Sequence, residues 1–423
     1  MSKFERIYVY LFIILNSISG LRIANISLNS VFVALFAVYV GCIYLFQGHR
    51  NKLTLPKNDY FWKFILASIA SCIFSLLYHF SIPHTDVVLS YLVNSIIYFV
   101  VYILLYNSKK KFITDLSDSF RNGLIYAARI QAAWGIAQII LIYGANININ
   151  EILFVDILHS TITRDWVMGF YTGNIWNMRI TGLNFENSMF ALVVCIGATL
   201  DDKIYWKVIL FVVAILSLSR TGWVMTAGYI VTLLLRKLGS IKKVNQKQFF
   251  KHSGGCILGI TLAMLAYINT PAIQRQVSNI LLRVQDSASM HISAIRHLLY
   301  YPYGFDIWLT RSNLLQMLFG YGMRCSGVAF SEQSDICNII GIQSYLNAWA
   351  VECDVIGLLL GGGIIAFITY YGCLHRNYNS KFRDAILIIF FGGITYHYHS
   401  ISYVIFVLMI SSLFSIENRR VTT

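Results

Sequence analysis

The stretch KVILFVVAILSLSRTGWVMTAGYIVTLLLR, residues 207–236, decides how this chain is read. Between Lys207 and Arg236 lie 28 residues whose only charge is Arg220. As one helix they would measure ~42 Å at ~1.5 Å per residue, against a bilayer core of ~30 Å. That is too long for one comfortable span and too short for two. A single span would also put the lysine-rich segment 236–253 outside and invert everything after it, against the cytoplasmic bias of basic loops. Two spans meeting near Arg220 remain, and the first, 204–219, covers only ~24 Å. The turn Ser219-Arg220-Thr221-Gly222-Trp223 is therefore expected in a recess below the outer surface, walled by longer helices. Gly222 is expected to permit the reversal and Trp223 to sit at the interface. A charge so placed points to function. The alternative is an arginine snorkelling to lipid phosphate from a short helix tip.

The composition belongs to an all-α polytopic membrane protein. The 423 residues are 57% hydrophobic and 12% charged, with mean hydropathy +0.63. A soluble domain carries about 25% charged residues. Pro56, Pro83, Pro271 and Pro302 all fall in polar connections. Twelve spans are expected, at 7–21, 26–46, 61–81, 87–106, 123–144, 183–200, 204–219, 221–236, 254–270, 345–373, 385–401 and 403–416. Residues 1–423 then form a single transmembrane domain with both termini cytoplasmic. Lys3 and Arg6 precede the first apolar stretch as in a signal peptide. No clean cleavage site closes it, so it is expected to be an uncleaved anchor. Residues 145–182 are expected to form one outward loop, and 271–344 a larger one that can hold a subdomain. Within the larger loop, Ile280 to Leu299 has helical periodicity, and Tyr300-Tyr301-Pro302-Tyr303-Gly304 is expected to end that helix.

The net charge of +14 is distributed by topology. Segments on the cytoplasmic side hold 23 of the 33 Lys and Arg residues, so the basicity needs no nucleic acid to explain it. All fifteen lysines are on that side. The other ten basic residues are arginines: Arg22, Arg129, Arg164, Arg179, Arg220, Arg275, Arg283, Arg296, Arg311 and Arg324. A face that keeps only planar, bidentate donors suits phosphate or carboxylate recognition, with structural ion pairs as the alternative. Arg129, inside the fifth span, reads as a structural partner for a buried polar group.

Other residues able to carry chemistry cluster at outward positions. Arg179-Ile180-Thr181-Gly182-Leu183-Asn184-Phe185-Glu186 stands at the start of the sixth span, where Glu186 either acts chemically or caps the helix. Arg283, Asp286, His291, Arg296 and His297 lie on or near one expected helix, with Arg283 and Asp286 spaced for an ion pair. Gly320-Tyr321-Gly322 before Arg324 reads as a turn. Gly361-Gly362-Gly363 reads as close helix packing or a hinge. His397-Tyr398-His399 reads as interfacial aromatics, because side chains at i and i+2 of a helix diverge too far to share a metal. A disulfide between Cys325 and Cys337 stays open, with Cys353 as a competing partner. No Walker loop, dinucleotide fingerprint or metal motif is present, so no metal or cofactor is expected.

The order of these motifs resembles the O-antigen polymerase and O-antigen ligase superfamily of bacterial inner-membrane glycosyltransferases. The likeness rests on Arg179-x-x-Gly182 at one span start, then Ser219-Arg220-Thr221-Gly222-Trp223 at the tip of the next hairpin. A large outward loop with an arginine-bearing helix and Gly320-Tyr321-Gly322 follows, then Tyr345-Leu346 and Glu352. It covers roughly 175–360 by motif and the whole chain by topology.

The resemblance implies a GT-C-like fold with a periplasmic active site in the inner membrane. It further implies metal-independent, inverting transfer on undecaprenyl-pyrophosphate-linked glycans in lipopolysaccharide biosynthesis. Besides those glycans and membrane lipid, a chain-length regulator is an expected partner. Charge developing on the leaving diphosphate needs arginines, each worth about 3 kcal/mol in a preorganised site. The expected catalytic residues are Arg220, Arg296, Glu186, Glu352 and His297. Arg179, Arg283, Arg324, Trp223 and Tyr345 are expected to bind pyrophosphate and glycan. Ligases of this superfamily carry a His-Asn-like pair just before the span that follows the large loop. Here that position reads Gln343-Ser344-Tyr345, which favours a polymerase. A ligase, and a lipid-linked oligosaccharide flippase, are the alternatives.

Overall fold

Helices make up most of the described backbone of a computed structural model. It covers residues 1–18, 22–23, 26–46, 53–57, 59–78, 85–145, 147–158, 180–184, 186–240, 274, 278, 292–340, 351–378 and 380–422. At 22–23, 26–27, 143, 238–240, 292–297 and 416–422 only the backbone is described. α1 (Lys3–Asn16) is followed by a short antiparallel pair, β1 (Arg22–Ile23) and β2 (Ile26–Ser27). Then come α2 (Leu28–Phe46), α3 (Tyr60–Tyr78), α4 (Thr85–Tyr106), α5 (Lys110–Ala145) and the short α6 (Ile149–Glu151). α7 (Asn187–Leu200), α8 (Ile204–Leu216) and α9 (Arg220–Ser240) follow. The described part of the large loop holds α10 (Ile292–Asp306), α11 (Leu314–Phe319), α12 (Ser326–Ser331) and α13 (Ser334–Ile340). α14 (Asp354–Asn377), α15 (Arg383–Gly393) and α16 (Ser402–Thr422) complete the chain.

Among the described residues, five helices are long and apolar enough to cross a membrane: α2, α3, α4, α5 to Ile142, and α14. The chain is a helical membrane protein. α4 shows the inverted amphipathicity this requires. Leu89, Val93, Ile96 and Val100 are exposed along one side, while Tyr91, Ser95, Tyr98 and Tyr102 are buried on the other.

The hub is α7, buried at every residue but Ser188 and packed on α5, α8, α9 and α15. Between helices in lipid there is no water to expel, so seating depends on close packing of small residues. A Cβ on Gly197 would come within 2.1 Å of the Ala128 methyl, so α7 lies almost backbone to backbone on α5. α7 and α8 are ~20 Å long, whereas α5 extends ~54 Å.

The conflict in residues 207–236 resolves as two helices. α8 ends at Leu216, α9 starts at Arg220, and stacking of Phe211 on Tyr229 at 5.5 Å shows the two running back along each other. Gly222 does not make the reversal, however. Leu218 does, with φ 56°, and Gly222 lies in the first turn of α9 against Ala191 of α7.

Several boundaries also differ from expectation. The sixth helix starts at Asn187 rather than 183, which leaves Glu186 outside it. The span expected at 385–401 is α15, which stops at Gly393 and is only ~17 Å long. A turn and a single 3-10 turn at Tyr398–Ser400 separate it from α16. The helix in the large loop runs through Pro302 to Asp306 rather than ending there, with Gly304 against Ile356 of α14. Its expected beginning, 280–291, and the ninth span, 254–270, lie outside the described residues. So does most of the 145–182 loop.

α14 is broken where the three glycines stand. Gly363 has φ 69°, and the freed carbonyls of Leu360 and Gly361 accept from the Tyr321 and Gly322 amides at 2.7 and 2.9 Å. Ser71 of α3 donates to the Gly361 carbonyl at 2.8 Å, and Ser75 to that of Tyr321 at 2.8 Å. Gly320-Tyr321-Gly322 is thus a strap docked into an interrupted helix rather than an isolated turn. Irregular backbone inside hydrocarbon is tolerated only where protein satisfies it in this way.

Candidate functional site

α5 builds the approach to the site with two buried glutamines. Gln138 Oε1 accepts from the Thr181 and Gly182 amides at 3.3 and 2.8 Å, and Gln131 Oε1 from the Leu183 amide at 2.8 Å. Asn150 donates to the Gly182 carbonyl at 2.8 Å and itself accepts from the Trp134 indole at 2.7 Å. These bonds fix the left-handed Gly182 (φ 59°) and so the direction in which the chain enters α7.

Glu186 occupies the N-cap position of α7, but its side chain makes no capping bond. Instead the hydroxyl of Tyr396, from the turn after α15, donates to its carboxylate. Burial raises the Glu186 pKa to about 7; the Glu352 carboxylate adds to the rise and the Arg324 guanidinium opposes it. Two carboxyls and one arginine, distant in sequence, therefore act on one another at one end of the bundle.

Arg220 starts α9 beside them. Asn187 donates to the Ser217 carbonyl at 3.2 Å, and the Ser188 and Ser219 hydroxyls pair at 3.3 Å. Thr221 pairs with Thr395 at 3.1 Å, and Tyr398 donates to the Ser188 carbonyl at 2.8 Å. The starts of α7 and α9 and the 395–398 segment thus share one network. Arg324 reaches the same place on the strap, with φ 66° and its side chain exposed. A non-glycine residue held left-handed costs about 1–2 kcal/mol, a strain that the docking of the strap imposes.

The sequence-derived candidates therefore divide. Glu186, Glu352 and Arg324 converge, and the start of α9 at Arg220 lies beside them through Ser219 and Thr221. Trp223 is half-buried and donates its indole N–H to the Ile215 carbonyl at 3.0 Å, within its own hairpin. Arg296 and His297 lie on α10, whose backbone alone is described there. Arg179, Arg283 and Tyr345 lie outside the described residues, as do Asp286 and His291.

Arg129 leaves the outer group. It pairs with the buried Asp201 at 2.7 Å and lies over Trp206 at 5.0 Å, at the far end of α7 from Glu186. Its reading as a partner for a buried polar group holds, but the group is a carboxylate. Cys325, Cys337 and Cys353 are free thiols, and Cys337 donates to the Phe330 carbonyl at 3.0 Å.

Tyr396 and the His399–Asp354 pair were not distinguishable from the sequence. As the end of a continuous helix, His397-Tyr398-His399 would be interfacial. The break after Gly393 buries it instead, and the two imidazoles do serve separate surroundings: Tyr396 stacks on His397 at 4.4 Å, while His399 bonds Asp354. Gly392-Gly393 was the available signal, a weak one in membrane helices. No family model, no curated protein and no solved structure matches this chain.

Proposed function

We propose that this protein is an O-antigen polymerase. It joins undecaprenyl-pyrophosphate-linked oligosaccharide repeat units at the periplasmic face of a bacterial inner membrane. The observation that carries the reading is the meeting of Glu186, Glu352, Arg324 and the Arg220-bearing start of α9 at one end of the bundle. In this reading that end is periplasmic, and the chain crosses the membrane about twelve times.

The chemistry needs two things at the membrane edge. Arg220 and Arg324 stabilise the diphosphate as the sugar C1–oxygen bond breaks, with Arg179, Arg283 and Arg296 supplementing them from the outer loops. Arginine cannot accept a proton, so a carboxylate takes it from the acceptor hydroxyl as the new bond forms. Glu186 is the base, because burial and Glu352 raise its affinity for a proton. In this reading its place at the membrane edge keeps it close to the pyrophosphate that the lipid tail delivers. Inversion at C1 follows from direct attack without a covalent intermediate.

Arg220→Ala and Arg220→Lys are expected to abolish long-chain polysaccharide while leaving the protein at normal abundance. Lysine keeps the charge but not the planar fork. The check is lipopolysaccharide gel electrophoresis of a deletion strain carrying each variant. A polymerase leaves core capped by a single repeat. Long chains in both variants would remove Arg220 from the mechanism, and loss of even the single repeat would point to a ligase or flippase.

A further inference from the structure

Residues 394–400 form a connection that the proposed chemistry does not use, yet its side chains and backbone bond to α7, α9 and α14. Asp354 Oδ1 accepts from both the backbone N–H of His399, at 2.9 Å, and its ring Nδ1, at 2.7 Å. Asp354 Oδ2 accepts from Tyr370 at 3.1 Å. Asp354 is 1% exposed and His399 and Tyr370 are fully buried. The neighbouring helices make room for the pair. A Cβ at Gly393 would fall 2.3 Å from Asp354 Oδ2, and one at Gly357 would lie 3.0 Å from His399 Cε1. A buried Asp–His pair loses much of its attraction to desolvation, so an apolar pair would serve stability as well. What the pair does is fix the direction of the chain. From His399 backward, Tyr398 bonds the Ser188 carbonyl, Tyr396 bonds the Glu186 carboxylate and Thr395 bonds Thr221. These contacts fall on the two helix starts that carry Glu186 and Arg220.

We propose that this turn is a positioning clamp, anchored by Asp354 through His399, that holds the Glu186 carboxylate through Tyr396. The clamp gives the site its function only if Glu186 is the base, so its importance rests on that reading, but its existence can be tested apart from it. The groups facing Glu186 are Glu352, Arg324, Tyr396 and Tyr398, with His397 stacked on Tyr396 and Arg220 next to Thr221. Among them Tyr396 is the direct hydrogen-bond donor. An O–H donated to a carboxylate favours the ionised form, so losing it must raise the proton affinity of Glu186.

The test is labelling of Glu186 by dicyclohexylcarbodiimide, which reacts with protonated carboxyls. The full-length protein in detergent is labelled across the neutral pH range, and the Glu186 peptide is quantified by mass spectrometry. Labelling of the native protein should fall away with a midpoint of about 7. Tyr396→Phe should move that midpoint upward by about one pH unit. His399→Leu should move it as far, and His399→Asn, which keeps an N–H donor where Nδ1 stood, should return it. If His399→Leu does not fold, His399→Gln, whose donor lies farther out, replaces it in the comparison with His399→Asn. A native midpoint in Tyr396→Phe, or in whichever of His399→Leu and His399→Gln is compared with His399→Asn, overturns the clamp. Labelling reports the proton on Glu186 whether or not sugar is transferred. A Glu186→Gln protein that still polymerises would remove the base while leaving the clamp intact.

Discussion

A carboxyl that takes a proton from a sugar hydroxyl must be ionised beforehand, yet basic enough to compete for the proton. Glu186, raised to about 7 by burial and Glu352, is balanced between these demands. The sign is fixed by the role. Below the midpoint the group is protonated and idle, so the rate of polymer formation from purified lipid-linked repeats should fall about tenfold per pH unit on the acid side. Glu186→Gln should lose at least ~100-fold at neutral pH. A rate independent of pH across the neutral range would transfer the role to another acid. Arg220 could be found from sequence because one charge in 28 residues cannot be hidden by composition. Tyr396 could not, because it meets Glu186 across 210 residues and nothing local distinguishes it from the chain's other tyrosines.

Among the secondary elements, α14 is the informative one. Gly361-Gly362-Gly363 could be read as packing or hinge, and the structure shows an interruption whose carbonyls are taken up by the Gly320–Gly322 strap. A Cβ at Gly363 would lie 2.2 Å from the Leu318 carbonyl oxygen, at a φ that side chains avoid. Gly363→Ala should therefore lower the thermal midpoint of the detergent-purified protein, undock the strap and with it Arg324, and reduce polymerisation. The left-handed penalty alone is about 1–2 kcal/mol. Gly41 of α2 is the control. Nothing lies within 4 Å of a Cβ there, so Gly41→Ala should be neutral or stabilising by up to ~1 kcal/mol. Equal thermal midpoints for the two variants would deny the strap its structural role. Helix positions were legible because hydropathy is a local property. The strap was not, since its hydrogen bonds join residues with no shared periodicity. The reversal falls at Leu218 rather than at Gly222 for a related reason: glycine serves close packing as well as left-handed turns.

At the scale of the whole molecule, charge separates the two ends of the bundle. Arg129, Asp201 and Asp202 gather at one end of α7, and Glu186 with the Arg220 turn at the other. If the second end is periplasmic, a membrane-impermeant thiol reagent applied to whole cells should label Asn338→Cys and miss Lys203→Cys until the membrane is opened. Cys42, which is exposed, should be replaced by serine in both. The reverse pattern would invert the topology and the proposed side of catalysis.

The hub helix has a consequence for how the protein is made. α7 has almost no surface for lipid, but it leaves the ribosome long before α15, which covers one of its sides. Until the last helices arrive, its flank must be lent to lipid or to insertion machinery. A chain halted before Tyr396 would hold most of its helices and none of its finished chemistry. The Glu186–Tyr396 contact is thus completed only at the end of biosynthesis, and under the proposed function a cell that interrupts translation late obtains a membrane-inserted but inactive chain.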